Sequence, residues 1–94
     1  MKTILTLINN MIKDHTSNIV RATIDAPNAG EITNTFKKAA KKVYSDSLAE
    51  IGTDVDGARE MAKLIQRTAM VEAGHVCGMN ADWLRAWWDK NGAQ

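Results

Sequence analysis

Apolar residues recur every three or four positions in four segments of this chain. That spacing places them on one side of an α-helix, which turns once in about 3.6 residues. No segment shows the sustained alternation of apolar and polar residues that marks a half-buried strand. The sequence therefore predicts an all-α fold, a small bundle of four helices over about residues 3–24, 29–51, 54–77 and 81–90.

Turn and capping residues set the predicted boundaries. Pro27 lies in the first turn, and Asn28 with Glu31 three positions later fits a capping box at the start of the second helix. Gly52 predicts the end of that helix, and Thr53 predicts the N-cap of the third.

The apolar stripes predict which helix faces form the core. The first helix has a wide stripe, and weak helix formers in its middle leave open whether it runs unbroken or divides near Thr16. The stripes are Ile4, Ile8, Met11, His15, Ile19 and Ala22 in the first helix, Ile32, Phe36, Ala39, Ala40 and Val43 in the second, and Ala58, Met61, Ala62, Ile65, Ala69, Glu72 and Val76 in the third.

Length and charge limit the class of protein. The 94 residues predict a single domain, residues 1–94, with one core. Twelve basic and eleven acidic residues give a net charge of +1, unlike the strongly basic balance of a stand-alone DNA-binding domain. The single cysteine excludes an internal disulfide and favours a reducing, cytoplasmic location.

The apolar residues at the start of the chain do not have the pattern of a signal peptide. Thr6, Asn9 and Asn10 interrupt them, and Lys13 follows soon after, so the unbroken apolar stretch of a signal peptide is missing. No stretch approaches the ~20 apolar residues of a membrane span. We therefore expect neither secretion nor membrane association.

The C-terminal segment carries the strongest functional signal. All three tryptophans, Trp83, Trp87 and Trp88, fall in one short predicted helix that Asn80 can cap. Together with a leucine they span much of its circumference, so the helix either forms a lid on the core or divides its surface between core and interface. An exposed tryptophan surface is typical of a protein-binding site. The predicted partner contact consists of these tryptophans and Arg85.

A cluster of four lysines marks one side of the second helix. Positions i, i+1, i+4 and i+5 share one face of a helix. Such a face is either simply solvated or makes electrostatic contact with phosphate or with an acidic protein. The residues are Lys37, Lys38, Lys41 and Lys42.

Residues 70–89 resemble the helix-turn-helix module of small bacterial and phage regulators. The module requires a small residue in its first helix, a glycine four residues later, an apolar residue, a capping residue and two buried apolar positions. The residues at these places are Gly74, Gly78, Met79, Asn80, Leu84 and Trp87. The resemblance implies a DNA-binding regulator, acting as a dimer on a two-fold site. Among the residues that would face base edges, only Arg85 is a good base-reading donor, and Asp82 would repel phosphate.

Chemistry of other kinds has little support in the sequence. His75 and Cys77 are two residues apart, about 200° around a helix, so they do not converge on one metal. No nucleophile is paired with a base and no glycine-rich phosphate loop occurs. We predict no catalytic residue, no metal site and no cofactor.

Taken together, these features predict a small, non-enzymatic accessory, inhibitor or regulator protein of phage or mobile-element type. It would act by binding another protein through the tryptophan-rich helix and the basic helix face. The alternative is a helix-turn-helix transcriptional regulator that binds DNA. Self-association through the first helix is a further expectation.

Overall fold

The computed structural model describes residues 4–91, which form four α-helices joined by turns. No strand occurs within this range. The predicted all-α fold with four helices is confirmed. The helices are α1 (Ile4–Ile24), α2 (Ile32–Ile51), α3 (Ala58–Val76) and α4 (Ala81–Asn91), with a 3-10 turn (Ala29–Glu31) before α2.

The three long helices pack against one another, and α4 packs on α3. Polar contacts also connect α2 to its neighbours. His15 Nε2 on α1 lies 3.0 Å from Glu50 Oε1, and Gln66 Nε2 on α3 donates to the carbonyl of Ala40 at 2.9 Å. The Gln66 amide is fully buried, and this bond offsets part of the cost of removing it from water.

Helix α1 runs unbroken through Thr16. The hydroxyl of Thr16 donates to the carbonyl of Ile12 at 2.6 Å, and that of Thr23 donates to Ile19 at 2.7 Å. These bonds satisfy both hydroxyls inside the helix, while the packing of α1 on two other helices outweighs its weak intrinsic propensity. Within residues 4–91, no helix combines the length and the apolar character needed to cross a bilayer.

The core is one cluster that draws side chains from all four helices. Burying each large apolar side chain contributes about 1.5–3 kcal/mol, so this cluster is the main source of stability. Its buried members are Ile8, Met11, Ile19, Phe36, Ala40, Val43, Ile65, Ala69, Met70, Ala73, Leu84 and Trp87.

The predicted stripe of α3 is wrong in its last two turns. Glu72 and Val76 are exposed, and the buried line passes instead through Met70, Ala73 and Gly74. The reason is that the end of α3 packs against α4 as well as against α1 and α2, which moves the buried side around the helix.

The predicted start of α3 is also wrong, because the helix begins at Ala58 rather than near residue 54. Gly52 and Gly57 both have positive φ angles, 100° and 77°, and the residues between them form turns. The hydroxyl of Thr53 lies 3.5 Å from the Asp54 carboxylate and does not cap the helix. Left-handed Gly57 occupies the N-cap position instead.

The capping box predicted for α2 does not form. The Asn28 side chain makes no capping hydrogen bond. The backbone N–H of Glu31 donates instead to the carbonyl of Asn28 at 3.0 Å, which closes a 3-10 turn. The α-helix therefore starts at Ile32, after this turn.

Candidate interaction site at the C-terminal helix

The turn between α3 and α4 is closed by backbone hydrogen bonds. Met79 donates to the carbonyl of Gly74 at 2.8 Å, and Cys77 donates to Ala73 at 2.9 Å. Gly78 has a φ of 74°, a left-handed conformation that is costly for residues with a Cβ atom. The turn thereby brings α4 into contact with α3.

Asn80 begins α4 as the sequence predicts. Its Oδ1 accepts the backbone N–H of Trp83 at 2.9 Å, and its carbonyl accepts the N–H of Leu84 at 3.1 Å. The side-chain bond satisfies one of the N–H groups that have no partner within the helix. This cap fixes the position at which α4 starts and therefore the direction in which each tryptophan points.

Gly74 allows α4 to approach α3 closely. A methyl group on Gly74 would overlap Cδ1 of Leu84, which is itself buried. Leu84 therefore rests on the backbone of α3 where a larger residue would hold the helices apart. Met79 packs against the same core from the turn.

The three tryptophans lie in three different environments. Trp87 is only 8% exposed and belongs to the core, and Trp88 is half-buried against it. Trp83 is 36% exposed. The buried side of α4 therefore contains Leu84 and Trp87, which are three residues apart. Trp83 lies at the border between the core and the solvent.

Trp83 is the centre of an open hollow between α2 and α4. The ammonium nitrogen of Lys37 lies 5.5 Å from the centroid of the Trp83 ring, which is within the range of a cation–π contact. Ala86, Trp87 and Lys90 complete the lining, and no carboxylate among residues 4–91 contributes to it. The hollow thus presents an indole beside two positive charges.

The predicted basic face divides between two sides of α2. Lys37 points to α4, whereas Lys42 lines a separate hollow beside α1 and lies 3.8 Å from Asp46. Lys38 and Lys41 are exposed. The four lysines therefore do not converge on one ligand, and only Lys37 touches the tryptophan-rich helix.

Arg85 projects into solvent on α4. Its Nη1 lies 3.5 Å from Asp82 Oδ1, and both side chains are exposed. A pair of this kind contributes little to stability, because water screens it. Arg85 does not line the Trp83 hollow.

Two features of this end of the molecule are missing from the sequence prediction. Lys90 lines the Trp83 hollow. Its position one helical turn after Ala86 is the sequence feature that could have predicted this. Val20, Ile24 and Val76 line an apolar groove beside the end of α1. The apolar spacing in the sequence placed Val76 in the core, so that signal could not reveal the groove.

The described residues offer little for metal or thiol chemistry. Within residues 4–91, no three His, Cys, Asp or Glu side chains gather closely enough to hold a metal ion. His75 is exposed and Cys77 is half-buried. Desolvation raises the pKa of the Cys77 thiol, so at neutral pH it is the less reactive protonated form.

Comparison with protein-family models, with curated proteins and with solved structures gave no match.

Proposed function

We propose that this chain is a small non-enzymatic protein that binds another protein through α4, with Trp83 at the centre of the contact. The observation that carries the proposal is the partly exposed indole of Trp83 in an open hollow. Tryptophan is among the residues most enriched in binding hot spots, where a partner removes its remaining surface from water. The cap at Asn80 and the buried Trp87 hold the indole in place before any partner arrives.

The hollow favours an acidic partner surface. Lys37 and Lys90 are the charged residues that line it in the described part of the chain. A carboxylate beside Trp83 would meet both ammonium groups at a site that the partner shields from water. Exposed Lys38 and Lys41 would add long-range attraction during encounter.

Other residues in the predicted contact have narrower roles in this proposal. Trp87 supports Trp83 from the core, Trp88 offers one edge, and Arg85 lies at the rim. The proposal includes a cytoplasmic location and an accessory, inhibitor or regulator role of phage or mobile-element type. Such a protein acts by covering a surface of its partner or by joining an assembly.

Affinity capture from cells of the source organism tests this proposal. The baits are the wild-type chain, Trp83→Ala and Leu64→Ala. Leu64 is the control because it is also apolar and exposed, 53% accessible on α3, but lies outside the hollow. We expect one protein to be retained by wild type and Leu64→Ala and lost with Trp83→Ala. Identical capture by all three baits would contradict a contact centred on Trp83.

A second candidate function is DNA binding by α3 and α4 as a helix-turn-helix module. The observation that favours it is the turn itself, in which Gly74 packs on Leu84, Gly78 is left-handed and Leu84 with Trp87 is buried. The exposed side of α4, however, offers a neutralised Arg85–Asp82 pair and an indole in place of several base-reading donors. This candidate therefore ranks second.

Titration against random duplex DNA at low and high salt separates the two candidates. Protein binding as the main function predicts no retardation of the DNA even at low salt. Retardation that falls steeply with salt and weakens in Arg85→Ala and Lys38→Ala would favour the DNA-binding candidate, because each lost phosphate contact lowers the salt dependence.

A further inference from the structure

The apolar groove beside the end of α1 lies outside the Trp83 hollow and has no part in the proposed function. Ile24 is 73% exposed and Val76 is 66% exposed, although both are large apolar side chains. Half-buried Val20 lines the groove with them. Exposed apolar surface that is grouped in this way is typical of an association site.

The charges at this groove identify its occupant. Arg21 and Asp25 line it together with the apolar residues. Arg21 and Asp25 are four positions apart, as are Val20 and Ile24. The two members of each pair therefore lie next to each other on one side of the chain at the end of α1. Neither Arg21 nor Asp25 makes a side-chain ion pair within residues 4–91. As far as the described residues go, the groove therefore carries one unpaired charge of each sign beside an apolar centre.

We propose that the groove binds a second copy of this chain about a two-fold axis near the end of α1. In such an interface residue i of one copy contacts residue j of the other, and j contacts i. Arg21 of each copy would then face Asp25 of the other, while Val20 and Ile24 pack across the axis. A partner surface of a single charge sign would gain from one of these two residues and lose from the other.

The size of the groove indicates a weak, concentration-dependent dimer. Seven residues line it, whereas a standard interface uses about 20–30 on each side. The dissociation constant of the dimer should therefore fall in the micromolar to millimolar range. Mass measurement by sedimentation equilibrium, from about 10 µM to about 1 mM, covers that range.

The first test removes the apolar contact. Ile24→Glu should hold the chain as a monomer throughout that range, and its exposure in the monomer means that the fold tolerates the change. Leu64→Glu is the matched control, since Leu64 is also exposed but lies outside the groove, and it should dimerise like wild type. A wild-type chain that stays monomeric at the highest concentration, or an Ile24→Glu variant that dimerises equally well, would overturn the proposal.

The second test uses the reciprocal charges. Arg21→Asp alone places two acidic residues opposite each other, and Asp25→Arg alone places two basic ones, so each variant should lose dimerisation by tenfold or more, an effect of about 1.4 kcal/mol. An equimolar mixture of the two variants restores opposite charges at both contacts and should form a heterodimer. A mixture that associates no better than its separate components would overturn the proposed pairing. Trp83→Ala should leave the dimer intact, so this result is independent of the proposed function.

Discussion

At the scale of single residues, the tryptophans show what a helical pattern can and cannot predict. The sequence placed all three on one short helix and identified Asn80 as its cap, which the structure confirms. It could not tell which indole is exposed, because that depends on how α4 is rotated against α3. Trp83 and Trp87 share a spacing of four, yet one borders solvent and the other is core.

The difference between these indoles is measurable by fluorescence quenching. Trp83→Phe should remove the component of the emission that acrylamide quenches most readily, because Trp83 is the most exposed of the three. Trp87→Phe is the control and should leave that component in place. Lys37→Ala should increase quenching, since it uncovers the face of the Trp83 ring. Equal quenching of wild type and Trp83→Phe would show that Trp83 is shielded in the monomer.

At the scale of helices, capping and turn residues predict most helix ends correctly. They fail where neighbouring residues favour different conformations. Gly52 ends α2 as predicted. Thr53 and the aspartates after it resemble a helix start, but two left-handed glycines hold the segment in turns until Ala58. A second error, Val76 in the core, arose because α4 changes which side of α3 is buried. Only the packing of one helix on another contains that information.

The contact between Gly74 and Leu84 gives a prediction at this scale. Gly74→Ala improves helix propensity by about 1 kcal/mol, but overpacking against Leu84 costs about 1–3 kcal/mol. We therefore expect net destabilisation of up to about 2 kcal/mol in urea unfolding. Leu84→Ala alone should cost about 2–5 kcal/mol.

The double variant isolates the contact between the two helices. In the Leu84→Ala background the new methyl group fills vacated space, so Gly74→Ala should become neutral or stabilising by about 1 kcal/mol. An equal effect of Gly74→Ala in both backgrounds would mean that α4 does not rest on the backbone of α3 at this point.

At the scale of the whole molecule, the arrangement of helices creates both candidate surfaces. Lys37 and Lys90 are distant in sequence and line the same hollow as Trp83 only because α2 and α4 both pack on α3. In the same way, Val76 and Ile24 line one groove only because the end of α3 lies near the end of α1. The sequence predicted the tryptophans and Lys37 as contact residues but not Lys90, and it could not predict that they lie together.

The central claim is that Trp83 forms the main contact with a protein partner. Calorimetric titration of the captured protein with wild type, Trp83→Ala and Leu64→Ala tests it most directly. We predict that Trp83→Ala loses about 2 kcal/mol of binding free energy, roughly 30-fold in affinity, while Leu64→Ala stays within about 0.5 kcal/mol of wild type. Equal affinity of wild type and Trp83→Ala would contradict the claim.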